Sequence, residues 1–384
     1  MTSASPLKVT HVVRQYLPSI GGMEEVVRNI ARHQTNSEQG ITRIITLNRL
    51  FRNSTELLPE RELIDGIEVI RLPYRGSSRY PICPGVFKYL RDTDVVHVHG
   101  VDFFYDFLAL TKWLHKRPLL LSTHGGFFHT SFASRAKQLY FKSVSRLSAL
   151  AYSKVVATST NDGDMFQRIT QPSQLQVIEN GVDVEKYAGQ AAEHLTPTLI
   201  YFGRWSSNKG LFTALDMFAQ LQKLRPEWRL IIAGREYDHS LSDLADRVQT
   251  LDLSHLVTLA ANPADDQIRS LIRQSSYFLC LSRHEGFGIA PIEAMSAGLT
   301  PILSDIPPFK RLIDESNLGY CFDPDTQISG AIAQLLQLHQ QGDAAYRERK
   351  ASARNFSVRY AWPAVADHYL SLYRQLTTAE EPQP

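Results

Sequence analysis

The sequence predicts an α/β protein made of two Rossmann-like, doubly wound domains facing a cleft. Three observations carry that expectation. Short apolar strand signals alternate with helical ones along the first half of the chain. The alternation stops at Ala188–Pro197, which has little periodicity and reads as a linker, and then restarts. The 384 residues are enough for two domains of ordinary size. Strands separated by helices are the pattern of a parallel sheet covered on both faces.

In chain order, Lys8–Arg14 reads as the first strand, Leu17–Gly22 as a turn and Met23–Arg32 as an amphipathic helix. Further strands are expected at Arg43–Leu47, Ile67–Arg71, Val95–His99, Leu119–Thr123, Val155–Thr158 and Leu175–Ile178. Beyond the linker the pattern resumes with Thr198–Phe202, Trp228–Ala233, Val257–Leu259, Tyr277–Leu281, Thr300–Leu303 and Gly319–Phe322. The expected domains are 1–187 and 198–355. An aromatic helical tail over 356–378 is expected to pack back on the first.

Composition narrows the class. The chain is 43% apolar and 21% charged, as in soluble globular proteins. Cys83, Cys280 and Cys321 are odd in number and widely spaced, which argues against a disulfide framework or a zinc site. The N-terminus has no hydrophobic signal region, and no apolar run reaches the ~20 residues that span a bilayer. A cytoplasmic protein is expected, with peripheral contact to the inner-membrane surface left open. Residues 1–190 hold 23 Lys/Arg against 17 Asp/Glu, a balance of +6, and the remainder 18 against 22, a balance of −4. The first half is therefore the candidate for an anionic surface or acceptor. An uneven spread of solvated charge explains the count equally well. No strongly basic stripe points to nucleic acid.

The chemistry concentrates in the second half. Glu285 and Glu293 follow a buried-strand signal, in a glycine-rich turn and the helix it opens. Ligands of open α/β sheets bind beyond the carboxyl ends of the strands, where helix N-termini offer N–H groups to anions. Carboxylates there accept hydrogen bonds from sugar hydroxyls. Phe202–Gly210 places Arg204 and Lys209 at the same edge, two cations suited to a diphosphate leaving group. In the first half, Gly21-Gly22 opens the first helix, though a plain tight turn explains it as well, and Glu24 and Glu25 would compete with a bound anion. His124 ends an apolar strand, a cleft position. His97 and His99 share a strand face, but no Cys or carboxylate motif completes a metal set, and none is expected. The pairs Asp92/Asp94, Asp162/Asp164 and Asp323/Asp325 read as structural. Basic and aromatic stretches around Arg75, around Tyr105, at Phe127–His129 and at Arg135–Lys142 make an acceptor or membrane face. Core aromatics among solvated cations are the bland explanation for any one of them.

Together Gly21-Gly22, His124, Asn180–Asp183, Gly203-Arg204, Lys209-Gly210 and Glu285-x7-Glu293 make the chain resemble the retaining glycosyltransferases of family 4, which have the two-domain GT-B fold. The resemblance spans nearly the whole chain. Pro18–Val27, Arg75–Ile82, Ser122–Thr130, Glu179–Gln190, Ala233–Asp238 and Cys280–Ala290 are similar to the α-1,3-mannosyltransferases of xanthan- and acetan-type exopolysaccharide assembly. The resemblance implies transfer from GDP-mannose to cellobiose on a polyprenyl diphosphate, without a metal. It also implies roles. Arg204 and Lys209 would hold the diphosphate, Glu285 the sugar and Glu293 the ribose, with Gly286, Phe287 and Gly288 lining the donor. His124 would face the donor sugar and Gly22 its phosphates. Arg75, Tyr105, Phe127 and His129 are the candidate acceptor contacts. Three other readings stay open: a sugar-nucleotide epimerase or phosphorylase on the same architecture, a transferase with another donor, and a glycan-binding protein. The clustered cations and carboxylates weigh against the last.

Overall fold

The computed structural model describes residues 6–36, 40–51, 56–78, 80–124, 140–285 and 287–378. It divides into two compact units, Met1–Gly181 with Trp362–Pro384, and Val182–Ala361. The first holds β1 (Leu7–Val12), β2 (Gly40–Leu47), β3 (Arg61–Ile64), β4 (Ile67–Leu72), β5 (Arg75–Ser77), β6 (Tyr80–Ile82), β7 (Val95–His99), β8 (Leu119–Ser122), β9 (Lys154–Ala157) and β10 (Leu175–Val177). Eight of these form one sheet in the order β10-β9-β8-β7-β1-β2-β4-β3, and β5 and β6 pair as a separate hairpin. Only β3 on β4 is antiparallel in the large sheet.

Both faces of that sheet are covered, which explains why its central strands are buried on both faces. On one face Val12, Ile45, Val96, Val98 and Leu121 pack with Phe104 and Leu108 of the helix Phe103–Leu110. On the other, Val9, Val95 and Leu120 pack with Val26 and Ile30 of the helix Gly22–Asn36 and with Tyr369 and Tyr373 of the helix Trp362–Thr378. The C-terminal helix thus completes the first unit. It begins at Trp362, because the preceding helix ends at Ser357 and a short 3-10 turn intervenes.

The second unit is a six-stranded parallel sheet of β11 (Thr198–Phe202), β12 (Arg229–Gly234), β13 (Val257–Ala261), β14 (Tyr277–Cys280), β15 (Thr300–Ser304) and β16 (Tyr320–Phe322). Its order, β13-β12-β11-β14-β15-β16, is that of a dinucleotide-type doubly wound sheet. The direction of winding reverses between β11 and β14, so a crevice opens beyond their carboxyl ends.

The linker expected at Ala188–Pro197 is not a free connection. Gly189 N, Ala191 N and Ala192 N donate to Ser296, Ala297 and Ser275 carbonyls at 2.9, 2.8 and 3.0 Å. Lys350 Nζ binds the Ala191 and Ala192 carbonyls at 2.8 and 2.9 Å. The strap lacks periodicity because partners far along the chain satisfy its backbone. The boundary therefore lies at Gly181/Val182 rather than at 187–198.

Candidate active site

The two segments singled out in the second half leave the sheet at its switch point. One runs from the end of β11 to the helix Leu211–Leu224, the other from the end of β14 to the helix Ile289–Ala297. They are bonded to each other. Arg283 N donates to Asn208 O at 2.8 Å, and Asn208 Nδ2 to His284 O at 3.0 Å. Lys209 Nζ reaches Glu285 Oε1 at 2.5 Å, with side chains only 17% and 15% exposed. Ser282 Oγ donates to the same carboxylate oxygen at 2.7 Å. Ser304 Oγ in turn holds the Ser282 carbonyl at 2.5 Å. Lys209 and Glu285, found separately in the sequence, are thus one charge-assisted pair on a braced frame.

Each helix of this crevice starts on a left-handed glycine without a side-chain cap: Gly210 at φ 66 and Gly288 at φ 96. A Cβ at Gly210 would run into the Leu281 carbonyl, so the close approach of the two segments requires glycine there. Uncapped starts leave the first N–H groups of both helices for an anion, where the helix dipoles favour negative charge. Arg204 is exposed beside them, its guanidinium over the Tyr237 ring at 5.2 Å. Phe287 is half-buried against Tyr360, with ring centroids 5.7 Å apart. Gly286 lies outside the described residues.

Glu293 sits in the helix Ile289–Ala297. Burial pushes its carboxyl up to about 7; the Lys186 charge works against that, and Asp183 and Asp265 work with it. Lys186 Nζ pairs with Asp265 at 3.2 Å.

In the first unit, His124 belongs to a chain of imidazoles. His11 Nδ1 and His99 Nε2 are 3.0 Å apart, and His99 Nδ1 and His124 Nε2 are 2.9 Å apart. His97 is held separately by Tyr373 OH at 2.7 Å and Ser122 Oγ at 2.8 Å. Burial holds all four rings well below the usual histidine range, His11 and His124 at about 3. The free ends of the chain are His11 Nε2 and His124 Nδ1, both buried and without a partner among the described residues. A neutral imidazole carries one N–H, so each of the two contacts is a single hydrogen bond, and one end of the chain carries an N–H and the other a lone pair.

His11, His97 and His99 have ring nitrogens within 4.8 Å of one another. This is not a good metal site. Apart from His11 Nε2 their nitrogens are already hydrogen-bonded. The trio contains no carboxylate to offset a buried dication.

The other predicted residues divide. Gly22 starts the first helix beside a cleft of about 630 Å³ lined by Arg14, Ser19, Glu24 and Phe51, and nothing lies within 4 Å of its Cβ position. Glu24 takes a hydrogen bond from Ser19 at 2.8 Å and crowds Gly21, so this turn already has its own carboxylate. Arg75 is exposed on the β5–β6 hairpin. Tyr105 is a correction. It is fully buried, stacked on Tyr152 and bonded to Ser145 O at 2.6 Å, so it cannot touch an acceptor. Phe127 and His129 lie outside the described residues. The Asp pairs are structural where they are bonded: Asp92 holds Arg43, Asp94 the Lys8 N–H, Asp162 the Thr123 hydroxyl, and Asp323 the turn to Thr326.

Models of two families match the chain: glycosyltransferase family 4 over residues 20–186 and glycosyl transferases group 1 over 185–354. A GDP-mannose:cellobiosyl-diphosphopolyprenol alpha-mannosyltransferase of Xanthomonas campestris is 52% identical over 96% of both chains. Its namesake in Komagataeibacter xylinus is 38% identical over 96% of this chain and 93% of its own. The chain belongs to glycosyltransferase family 4. Among solved structures, a Rickettsia africae glycosyltransferase aligns with a TM-score of 0.73 at 17% identity, over 99% of this chain and all of that one. An Anabaena protein solved with UDP and glucose aligns at 0.66 and 16%, over 96% and 100%. At that identity they speak for the GT-B fold alone.

In this glycosyltransferase, sequence reasoning missed the residues that brace others. Ser282 lies three positions before Glu285 and is the one with a local signal. Asn208, Ser304, Lys186 and His11 act through partners far along the chain.

Proposed function

We propose that this glycosyltransferase moves mannose from GDP-mannose to cellobiose carried on a polyprenyl diphosphate, forming an α-1,3 linkage with retention, as a step of exopolysaccharide repeat-unit assembly of the acetan type. The observation that carries the reading is the Lys209–Glu285 pair between two uncapped helix starts. The names of the relatives support this donor and acceptor.

The geometry supports a division of labour. Lys209, Arg204 and the helix amides meet the diphosphate and stabilise the charge that grows on it as the glycosidic bond breaks. Glu285, fixed by Lys209 and Ser282, accepts from hydroxyls of the donor sugar. It is not a covalent nucleophile in this reading; the donor phosphate takes the acceptor's proton on the same face. His124 offers a neutral ring nitrogen to a sugar hydroxyl. With cations and amides for the diphosphate, no metal is required.

The test is transfer of labelled sugar to polyprenyl-diphosphate-cellobiose from GDP-mannose, UDP-glucose and other donors, with and without EDTA. A lipid-linked trisaccharide formed from GDP-mannose alone, undiminished by EDTA, is expected. Use of another donor alone would overturn the donor, and loss in EDTA restored by Mn²⁺ would overturn metal independence.

Glu293 adds a pH dependence. Its carboxylate form accepts from ribose hydroxyls, so below about 7 a proton must leave before the donor binds. GDP-mannose affinity is expected to weaken roughly tenfold per pH unit as pH falls below 7. Glu293→Gln should bind more weakly and flatten the profile, measured by calorimetry between pH 6 and 8. A wild-type profile that is itself flat removes Glu293 from the ribose.

A further inference from the structure

One band of the first unit leaves apolar side chains in water beside cations. Leu110 is 74% exposed, Trp113 72%, Leu147 70% and Leu150 57%, and Leu114 and Val144 are exposed as well. They come from the helices Phe103–Leu110 and Lys112–His115, from the helical segments Phe141–Ser145 and Arg146–Ala149, and from Leu150, which caps the last. These elements pack together. Tyr105 OH donates to Ser145 O at 2.6 Å, and Ser148 Oγ to Asp106 Oδ1 at 2.7 Å. Leu110 lies one helical turn past Asp106, and Leu147 adjoins Ser148, so both stand beside this seam. Single exposed hydrophobics need no explanation; six on adjoining elements make a patch.

The charge along this stretch of sequence beyond Asp106 has one sign. Between Asp106 and Asp162 the chain has no acidic residue and eight cationic ones, Lys112, Lys116, Arg117, Arg135, Lys137, Lys142, Arg146 and Lys154, although the whole chain is only +2. Lys116, Lys142 and Arg146 are exposed among the apolar residues.

We infer that this band is the face on which the enzyme lies against an anionic lipid bilayer. Trp113 and the leucines enter the headgroup–acyl boundary, where amphipathic rings and apolar side chains partition. Lys116, Lys142 and Arg146 meet lipid phosphates. A nucleic acid would use the cations but gain nothing from Leu110, Leu147 and Leu150. A second copy would set like charges against each other. The inference rests on the reading that the acceptor is carried on a lipid: an enzyme held in the plane of its acceptor meets it at raised effective concentration.

The experiment uses the full chain and sedimentation with vesicles of phosphatidylcholine, with and without phosphatidylglycerol. Two double variants accompany it, Trp113→Ser with Leu147→Ser, and Lys142→Ser with Arg146→Ser, all at exposed positions and checked for folding by circular dichroism. Wild type should bind the phosphatidylglycerol vesicles and lose binding in salt. Each double variant should bind about tenfold more weakly or less. Transfer to acceptor embedded in those vesicles should fall in parallel, while transfer to a detergent-dispersed acceptor is kept. The surface assignment is overturned if the variants bind as wild type does. It is equally overturned if wild type ignores anionic vesicles, as it would were the band covered by another copy, or if the variants lose binding to nucleic acid instead. Variant-sensitive vesicle binding with no transfer to any lipid-linked cellobiose would support the surface and overturn the acceptor reading.

Discussion

Lys209→Ala is expected to lower transfer by roughly 10²- to 10³-fold, the range for removing one positioned charge-stabilising group. Two losses combine. The diphosphate loses a cation, and Glu285 loses the partner that fixes it at 2.5 Å. Ser282, at 2.7 Å, continues to hold the carboxylate but leaves it without a counter-charge. Glu285→Ala should cost a similar factor, and the double variant little more than either single one, because each group needs the other in place. Both variants should remain folded, destabilised by about 1–3 kcal/mol. Steady-state transfer with GDP-mannose, beside a thermal melt, measures this. Near-wild-type rates in folded variants, or fully additive losses, would remove the pair from the chemistry.

Acidification should weaken the first unit more than any single substitution does. His11, His97, His99 and His124 are held neutral by burial. The unfolded chain takes up protons below about 6.5, and the folded unit does not. Their contribution is therefore full above pH 6.5 and is lost as pH falls from there toward the folded values. Asp102, pushed up to about 6 by burial, works in the opposite sense over part of this range. Four groups against one leave a net loss on the order of 4 kcal/mol between pH 7.5 and 5.5. The first unit's melting temperature should drop by roughly 10 °C. Calorimetry at the two values checks this; an unchanged first-unit transition would mean that the imidazoles are not buried neutral.

Legibility followed locality. β7 and β11 were readable to the residue because each is buried along its whole length and built mostly of apolar and β-branched residues. β3, exposed along most of its length at the sheet edge, shows no such signal, and the three-residue strands of the β5–β6 hairpin are shorter than any periodicity. Among site residues, Lys209, Glu285 and Glu293 stood in recognisable segments. Their connection did not, because it depends on β11 and β14 being neighbours in the sheet although 74 residues lie between Phe202 and Tyr277. His11 was invisible for the same reason: its place beside His97 is set by the register of β1 on β7. Tyr105 failed differently. An aromatic residue in an aromatic run reads alike on a surface and in a core, and only the packing of its helix separates them.

The bonds from Arg283 and Asn208 that join the two crevice segments bear on how donor choice can change. A frame that meets only the diphosphate and sugar hydroxyls common to nucleotide diphosphate sugars confers affinity without preference for the base. Discrimination must come from side chains mounted elsewhere on it. Arg235 fits that role, whereas Tyr237 lies under Arg204 and Asp238 accepts from Ser207 on the frame itself. The Arg235 backbone is anchored to Trp205, through Trp205 N to Arg235 O at 2.8 Å, while its side chain is exposed. Exchanging Arg235 is then expected to alter donor preference while leaving the Lys209–Glu285 pair as it is.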